Sequence, residues 1–147
     1  MKIEIRKANL ADMGKVLEMI KELALYERAP EEVWATTDMY EAGFQKGIFE
    51  VLLALFNEKI IGCAMYYPCW SSWKGKMYYL EDFIISQPYR KKGVGQTLFN
   101  AFLEEAKKNN CTLVKWQVLD WNEPALNFYR KNHAVIEKTW WNGKIVF

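Results

Sequence analysis

Two glycines, Gly93 and Gly95, stand between a strand-like run at 76–85 and a run of helical periodicity at 96–108, and no other feature restricts the fold as much. The first run is apolar and aromatic. The second carries Leu98, Phe99, Phe102, Leu103 and Ala106 at spacings of three and four. The pattern predicts strand, tight turn, helix. Without Cβ atoms the glycines let the backbone aim N–H groups outward, and the helix dipole adds partial positive charge there. An anion should bind at this turn, and Arg90, Lys91 and Lys92 just before it favour a polyanion over a lone carboxylate.

Two nucleotide-binding readings weaken. A P-loop needs Gly-x-x-x-x-Gly-Lys-Ser/Thr, which is absent, and a dinucleotide fingerprint would place a third glycine where Leu98 stands. The plainer alternative is an ordinary strand-to-helix turn with solvated basic residues.

The remaining chain supplies strands and helices around this unit. Residues 2–7 alternate as a half-buried strand. Met13, Val16, Leu17, Ile20, Leu23 and Ala24 predict a helix capped by Asn9 and Asp12 and ended before Pro30. Asp38 can cap a short helix through Gln45. Runs 48–56 and 60–67 form a hairpin, and 68–75 reads as a loop holding Trp70 and Trp73. After the central unit, 111–120 is a strand, Asn122 and Pro124 open a helix through Lys131, and 134–147 makes a closing hairpin about Asn142-Gly143.

The 147 residues suit a single domain spanning 1–147. A net charge of +2 does not call for nucleic acid. Three cysteines without a Cys-x-x-Cys pair read as reduced thiols, which suits the cytoplasm. The charged alternation from Met1 does not read as a signal peptide, and no apolar run of membrane-spanning length occurs.

Arg90-Lys-Lys-Gly-Val-Gly95 resembles the pyrophosphate-binding signature Arg/Gln-x-x-Gly-x-Gly/Ala of the GNAT N-acetyltransferases. The element order β-α-α-β-β-β-α-β-α-β-β matches their α/β fold, a mixed, mostly antiparallel sheet flanked by helices (the acyl-CoA N-acyltransferase fold). Further blocks resemble the spermidine/spermine N-acetyltransferase subfamily, which includes diamine and thialysine acetyltransferases: Lys21-Glu-Leu-Ala24, Tyr26-Glu27, Ala64-Met-Tyr-Tyr67, Trp73-Lys-Gly-Lys76, Tyr79-Leu-Glu-Asp-Phe83, Trp121-Asn-Glu-Pro124 and Asn127-Phe-Tyr129.

The resemblance implies acetyl-CoA as cosubstrate, no metal, a small-molecule amine as acceptor and a homodimer. It implies that Arg90, Lys91, Lys92, Gly93, Val94, Gly95 and Gln96 hold the pyrophosphate, chiefly through main-chain N–H groups. The main chain of Phe83, Ile84 and Ile85 would pair with the pantetheine arm, and Asn122 would contact it. Tyr129 would give a proton to the leaving thiolate, and Glu81 would bind or deprotonate the amine. Tyr26, Glu27 and Trp73 fall on the substrate side. The subfamily's Asp-x-Trp is here Ser71-Ser72-Trp73, which implies a shorter or zwitterionic amine rather than spermidine.

The chemistry gives these residues a purpose. A primary amine with a pKa near 10.4 must lose a proton before it attacks a thioester, so a carboxylate has to assist. Adjacent carboxylates at 81 and 82 are out of place in a strand of Met, Tyr, Leu, Phe and Ile, and burial would raise their pKa toward a base's working range. Asp82 is read here as a lysine partner or loop cap. A strand N–H near Ile84 or Ile85 could steady the thioester oxygen. His133 reads as a turn residue. A coenzyme-binding module without turnover and a protein acetyltransferase remain the alternatives.

Overall fold

In a computed structural model describing residues 1–147, the elements are β1 (Glu4–Lys7), α1 (Met13–Tyr26), α2 (Thr37–Gln45), β2 (Glu50–Phe56), β3 (Lys59–Ser71), β4 (Gly75–Ile85), α3 (Val94–Lys108), β5 (Leu113–Trp116) and α4 (Glu123–Lys131). They fall into two units, Met1–Gln117 and Val118–Phe147.

The first unit is a five-stranded sheet in the order β1-β2-β3-β4-β5, antiparallel except for the parallel β4–β5 pair. Alternation along the strands sends side chains to two faces. Against one face α1 packs Met13, Val16, Met19 and Ile20 onto Val51, Leu53, Leu55, Cys63, Met65 and Ile84, with Tyr40 and Phe44 of α2 beside them. On the other face α3 brings Phe102 against Tyr66 and Tyr78, and Phe99 against Phe83 and Trp116. Each such buried side chain contributes roughly 1.5–3 kcal/mol. No helix is long and apolar enough to cross a membrane.

Three features of β4 matter for function. First, the register with β3 slips: Met65 faces Asp82 but Tyr66 faces Leu80, so Glu81 is an extra residue opposite no partner, a β-bulge. The slip shows in the side chains, because Tyr78 and Phe83 both meet α3 although their spacing is odd. Second, β5 pairs β4 only from Met77 to Leu80. No strand covers 81–85 on that side. Third, β4 runs into a 3-10 turn at Gln87–Tyr89 and then the glycine turn.

Several boundaries differ from the sequence expectation. The 68–75 segment is mostly strand, because β3 continues through Pro68 to Ser71 and leaves a turn of only Ser72–Lys74. Pro68 is tolerated because β2 pairs β3 no further than Tyr66, so no β2 carbonyl requires its missing N–H. Thr36, not Asp38, caps α2, accepting from the Met39 amide at 3.3 Å.

In the second unit, Asn122 caps α4 by accepting from the Ala125 amide at 3.3 Å. Tyr129 and Leu126 form its buried face. The expected closing hairpin is not formed: 134–147 carries no strand. Neither Asn142 nor Gly143 has the positive φ that a type I′ turn requires. Val135, Trp140, Trp141, Ile145 and Val146 are exposed, and a two-stranded ribbon without a covering layer is marginal in water. The expected strand 111–120 likewise shortens to Leu113–Trp116.

Candidate active site

The glycine turn has the backbone of an anion cradle. Lys91 and Gly93 both lie in the left-handed region, with φ of 60° and 83°. Gly93 is the N-cap of α3 and no side chain caps that helix, so its first-turn N–H groups, which have no intrahelical acceptors, face outward. A Cβ built on Gly93 would meet no atom within 4 Å, so the glycine serves conformation rather than close packing. Lys91 and Lys92 are exposed. Arg90 behaves differently, because its Nε donates to the Ile85 carbonyl at 2.7 Å and its Nη2 lies 3.5 Å from Glu22. The only arginine of the basic run is thus tied inward.

Leading to this turn, Phe83, Ile84 and Ile85 occupy the stretch of β4 that β5 leaves uncovered. An extended amide-bearing chain could add there as a strand does. The uncovered edge and the turn form one continuous track of main chain.

Carboxylates gather beside that edge. Asp82, half-buried, has its pKa pushed up to about 7, first by burial and then by the charges of Glu81 and Glu27. Glu27, at the C-terminal end of α1, is also raised by burial. Glu81 is exposed and its Oε2 accepts the Tyr67 hydroxyl at 2.9 Å. Tyr67 stacks on Tyr79, with ring centroids 5.6 Å apart. Tyr40 of α2 is pushed up to about 12 by burial and by Asp82, Cys63 and Glu81, which places it in the same field. Three carboxylates and the tyrosines that feel their charge make a cluster whose electrostatics favour an organic cation.

The first unit therefore brings together Tyr26, Glu27, Glu81, the 83–85 edge and the turn from Arg90 to Gln96. Trp73 stands apart along the hairpin. Its turn begins four rungs beyond the Tyr67–Tyr79 pair, a distance of about 13 Å along the strands, and it is 84% exposed. Asn122 and Tyr129 belong to the second unit, both buried.

Sequence reasoning passed over Asp82, which pairs with no lysine and caps no loop but carries the shifted carboxyl group. It also passed over Tyr40, Tyr67 and Tyr79. A signal was present: apolar residues at 78, 80 and 83 cannot share one face of a regular strand, and the break falls on the carboxylates.

Comparison with known proteins agrees with this geometry. The family model "Acetyltransferase (GNAT) family" matches residues 16–134. The chain is 33% identical over 138 residues to a thialysine N-epsilon-acetyltransferase of Bos taurus, covering 87% of this chain and 81% of that protein. It is 32% identical over 141 residues to a human spermidine/spermine N(1)-acetyltransferase-like protein 1, covering 90% of this chain but 20% of that longer protein. Among solved structures, an aminoglycoside acetyltransferase from an uncultured soil metagenomic sample superposes with a TM-score of 0.83 at 18% identity, covering 99% of this chain and 96% of that one. The chain is an acetyltransferase and belongs to the GNAT family.

Proposed function

We propose that this protein moves the acetyl group of acetyl-CoA to a primary amine of a small molecule, in a ternary complex and without a covalent enzyme intermediate. The observation that carries this reading is the juxtaposition in β4: a cation-favouring cluster at Glu81 and Asp82 is followed at once by an uncovered strand edge and then by the anion turn. A reaction between an ammonium ion and a diphosphate-bearing thioester needs those three parts in that order.

Main-chain N–H groups from Lys91 to Gln96, helped by Lys91 and Lys92, would hold the diphosphate, and the 83–85 edge would align the pantetheine arm. The thioester supplies the activated acyl carbon. Asp82, whose raised pKa lies near neutrality, takes the proton from the ammonium group, and Glu81, held by Tyr67, anchors the cation. The freed nitrogen attacks the acyl carbon and the C–S bond breaks; as the amide forms the nitrogen gives up its second proton to water, and the Tyr129 hydroxyl gives the thiolate its proton and is itself reprotonated from solvent. Asn122 contributes to the coenzyme side, while Tyr26 and Glu27 line the amine side.

An amino-acid-like amine is favoured over a polyamine. The thialysine enzyme that the chain resembles is named for such a substrate. Ser71 and Ser72 precede Trp73, where a polyamine enzyme would carry another carboxylate. The reading extends to one catalytic domain over 1–147, acting as a cytoplasmic homodimer. In its support, the family match spans both units, Cys63, Cys69 and Cys111 are free thiols, and the exposed apolar residues at 140–146 suit cover by a second copy.

The test is incubation of the purified protein with acetyl-CoA and a panel of thialysine, lysine, diamines, polyamines and peptides, with products read by mass spectrometry. Acetylation of an amino-acid side-chain amine is the expected result. Acetylation of peptides alone, or of nothing, would overturn the reading.

A further inference from the structure

Glu22 lies on α1 one helical turn before Tyr26, so the two share a face. Its carboxylate does not point to solvent alone. Oε1 accepts the Gln87 amide at 3.1 Å, Oε2 accepts the Ser86 hydroxyl at 3.3 Å, and Arg90 Nη2 lies 3.5 Å from Oε1. The same guanidinium donates from Nε to the Ile85 carbonyl and sits over the Tyr26 ring, 5.1 Å from its centroid. One carboxylate therefore grips three successive points of the segment between β4 and the anion turn. The arginine it holds rests on an aromatic ring beside Glu27.

The consequence is mechanical. The start of the coenzyme turn and the amine-side end of α1 are far apart in sequence and meet at this contact. Through Glu22 and Arg90 they become one rigid piece. Each link is modest, because a partly exposed ion pair contributes little, but a carboxylate that accepts two hydrogen bonds and also pairs with a guanidinium is harder to displace than a single pair.

We propose that Glu22 is a positioning residue of the acetyl transfer reaction: acting through Arg90 and through its direct bonds to Ser86 and Gln87, it holds the coenzyme turn and the Tyr26–Glu27 side of the amine site in fixed register, so that filling one orders the other. The proposal rests on the acetyltransferase reading above. It assigns Arg90 to this internal strut, with Lys91 and Lys92 as the cations left for the diphosphate.

Coenzyme A is the probe. In the wild-type chain, calorimetry should register its binding, and amide hydrogen exchange at 23–29 should slow on binding although those residues lie outside the turn. Glu22→Ala should weaken coenzyme A binding about tenfold and abolish the slowing at 23–29. Glu22→Gln keeps an acceptor but loses the charge, and should fall between; it also serves should the alanine variant fail to fold. Because Glu22 and Arg90 belong to one strut, the double variant Glu22→Ala/Arg90→Ala should lose less affinity than the sum of the two single losses. Unchanged affinity with the slowing retained, or additive losses in the double variant, would overturn the proposal. Absence of coenzyme A binding by the wild-type chain would instead strike the reading of the turn itself.

Discussion

The hydroxyl of Tyr67 on β3 donates to Glu81 on β4 across the point where the two strands slip register, at 2.9 Å. Glu81, exposed and opposite no residue of β3, is thereby given a fixed direction by a tyrosine whose own ring is braced on Tyr79.

Tyr67→Phe removes that donor and keeps the stacked ring. Hydrogen bonds to a charged acceptor contribute about 1.5–3 kcal/mol, and the exposure of this one puts it at the lower end. Turnover of the amine at subsaturating concentration should fall about tenfold, with coenzyme A affinity unchanged. Steady-state kinetics alongside calorimetry checks this, and an equal loss of coenzyme affinity would count against it.

Asp82 makes stability depend on pH. Its ordinary value of 3.8 rises to about 7 in the folded chain, so the folded state keeps a proton that the unfolded state has released. Its favourable contribution is complete below about pH 4 and is lost as pH climbs through about 7. Asp82→Asn should accordingly stabilise the protein at pH 8 by on the order of 2–4 kcal/mol, with little effect at pH 4. Urea denaturation at the two pH values decides it. Wild-type acetylation should rise with pH through about 7, and that limb should vanish in the variant.

Lys91 holds a left-handed conformation that costs a side-chain-bearing residue about 1–2 kcal/mol, whereas glycine adopts it freely. Lys91→Gly should raise stability by about 0.5–1 kcal/mol after the entropy of the unfolded glycine is counted, while lost charge weakens coenzyme A binding severalfold. Opposite movement of the denaturation midpoint and the affinity is the signature to seek. A loss of both would mean that the lysine side chain supports the turn.

Tyr129→Phe preserves a buried aromatic on α4 and removes only the hydroxyl. A proton donor in the transition state contributes about 10²–10⁴-fold, so turnover should drop by at least two orders of magnitude while coenzyme A affinity holds. Rapid-quench measurement of the first turnover separates this from slowed product release. Turnover like that of the wild-type chain would end the acid role.

The fold was legible wherever periodicity was strong. Leu98, Phe99 and Phe102 announced α3, and Val16, Leu17 and Ile20 announced α1. Asn122 and Pro124 marked the start of α4. What escaped depended on partners distant in sequence. Asn142-Gly143 has turn chemistry, yet the flanking residues find no third layer, and no hairpin forms. His133, read from the sequence as a turn residue, does take the left-handed conformation after α4, with φ of 64°, while the Asn132 amide closes the last helical turn by donating to the Phe128 and Tyr129 carbonyls. In the site, the glycine turn and Glu81 could be found from local chemistry. The environment of Asp82 could not, since it arises first from burial in the folded sheet and then from charges that include Glu27, supplied by another element.

The extra residue in β4 means that this catalyst depends on parity as much as on chemistry. Delete one position between Leu80 and Phe83 and the strand would regain its regular beat. The remaining carboxylate would then alternate as an ordinary strand residue, with no second one beside it to share a cation. The loss of one residue in 147 would thus break up the carboxylate pair on which the proposed amine site rests.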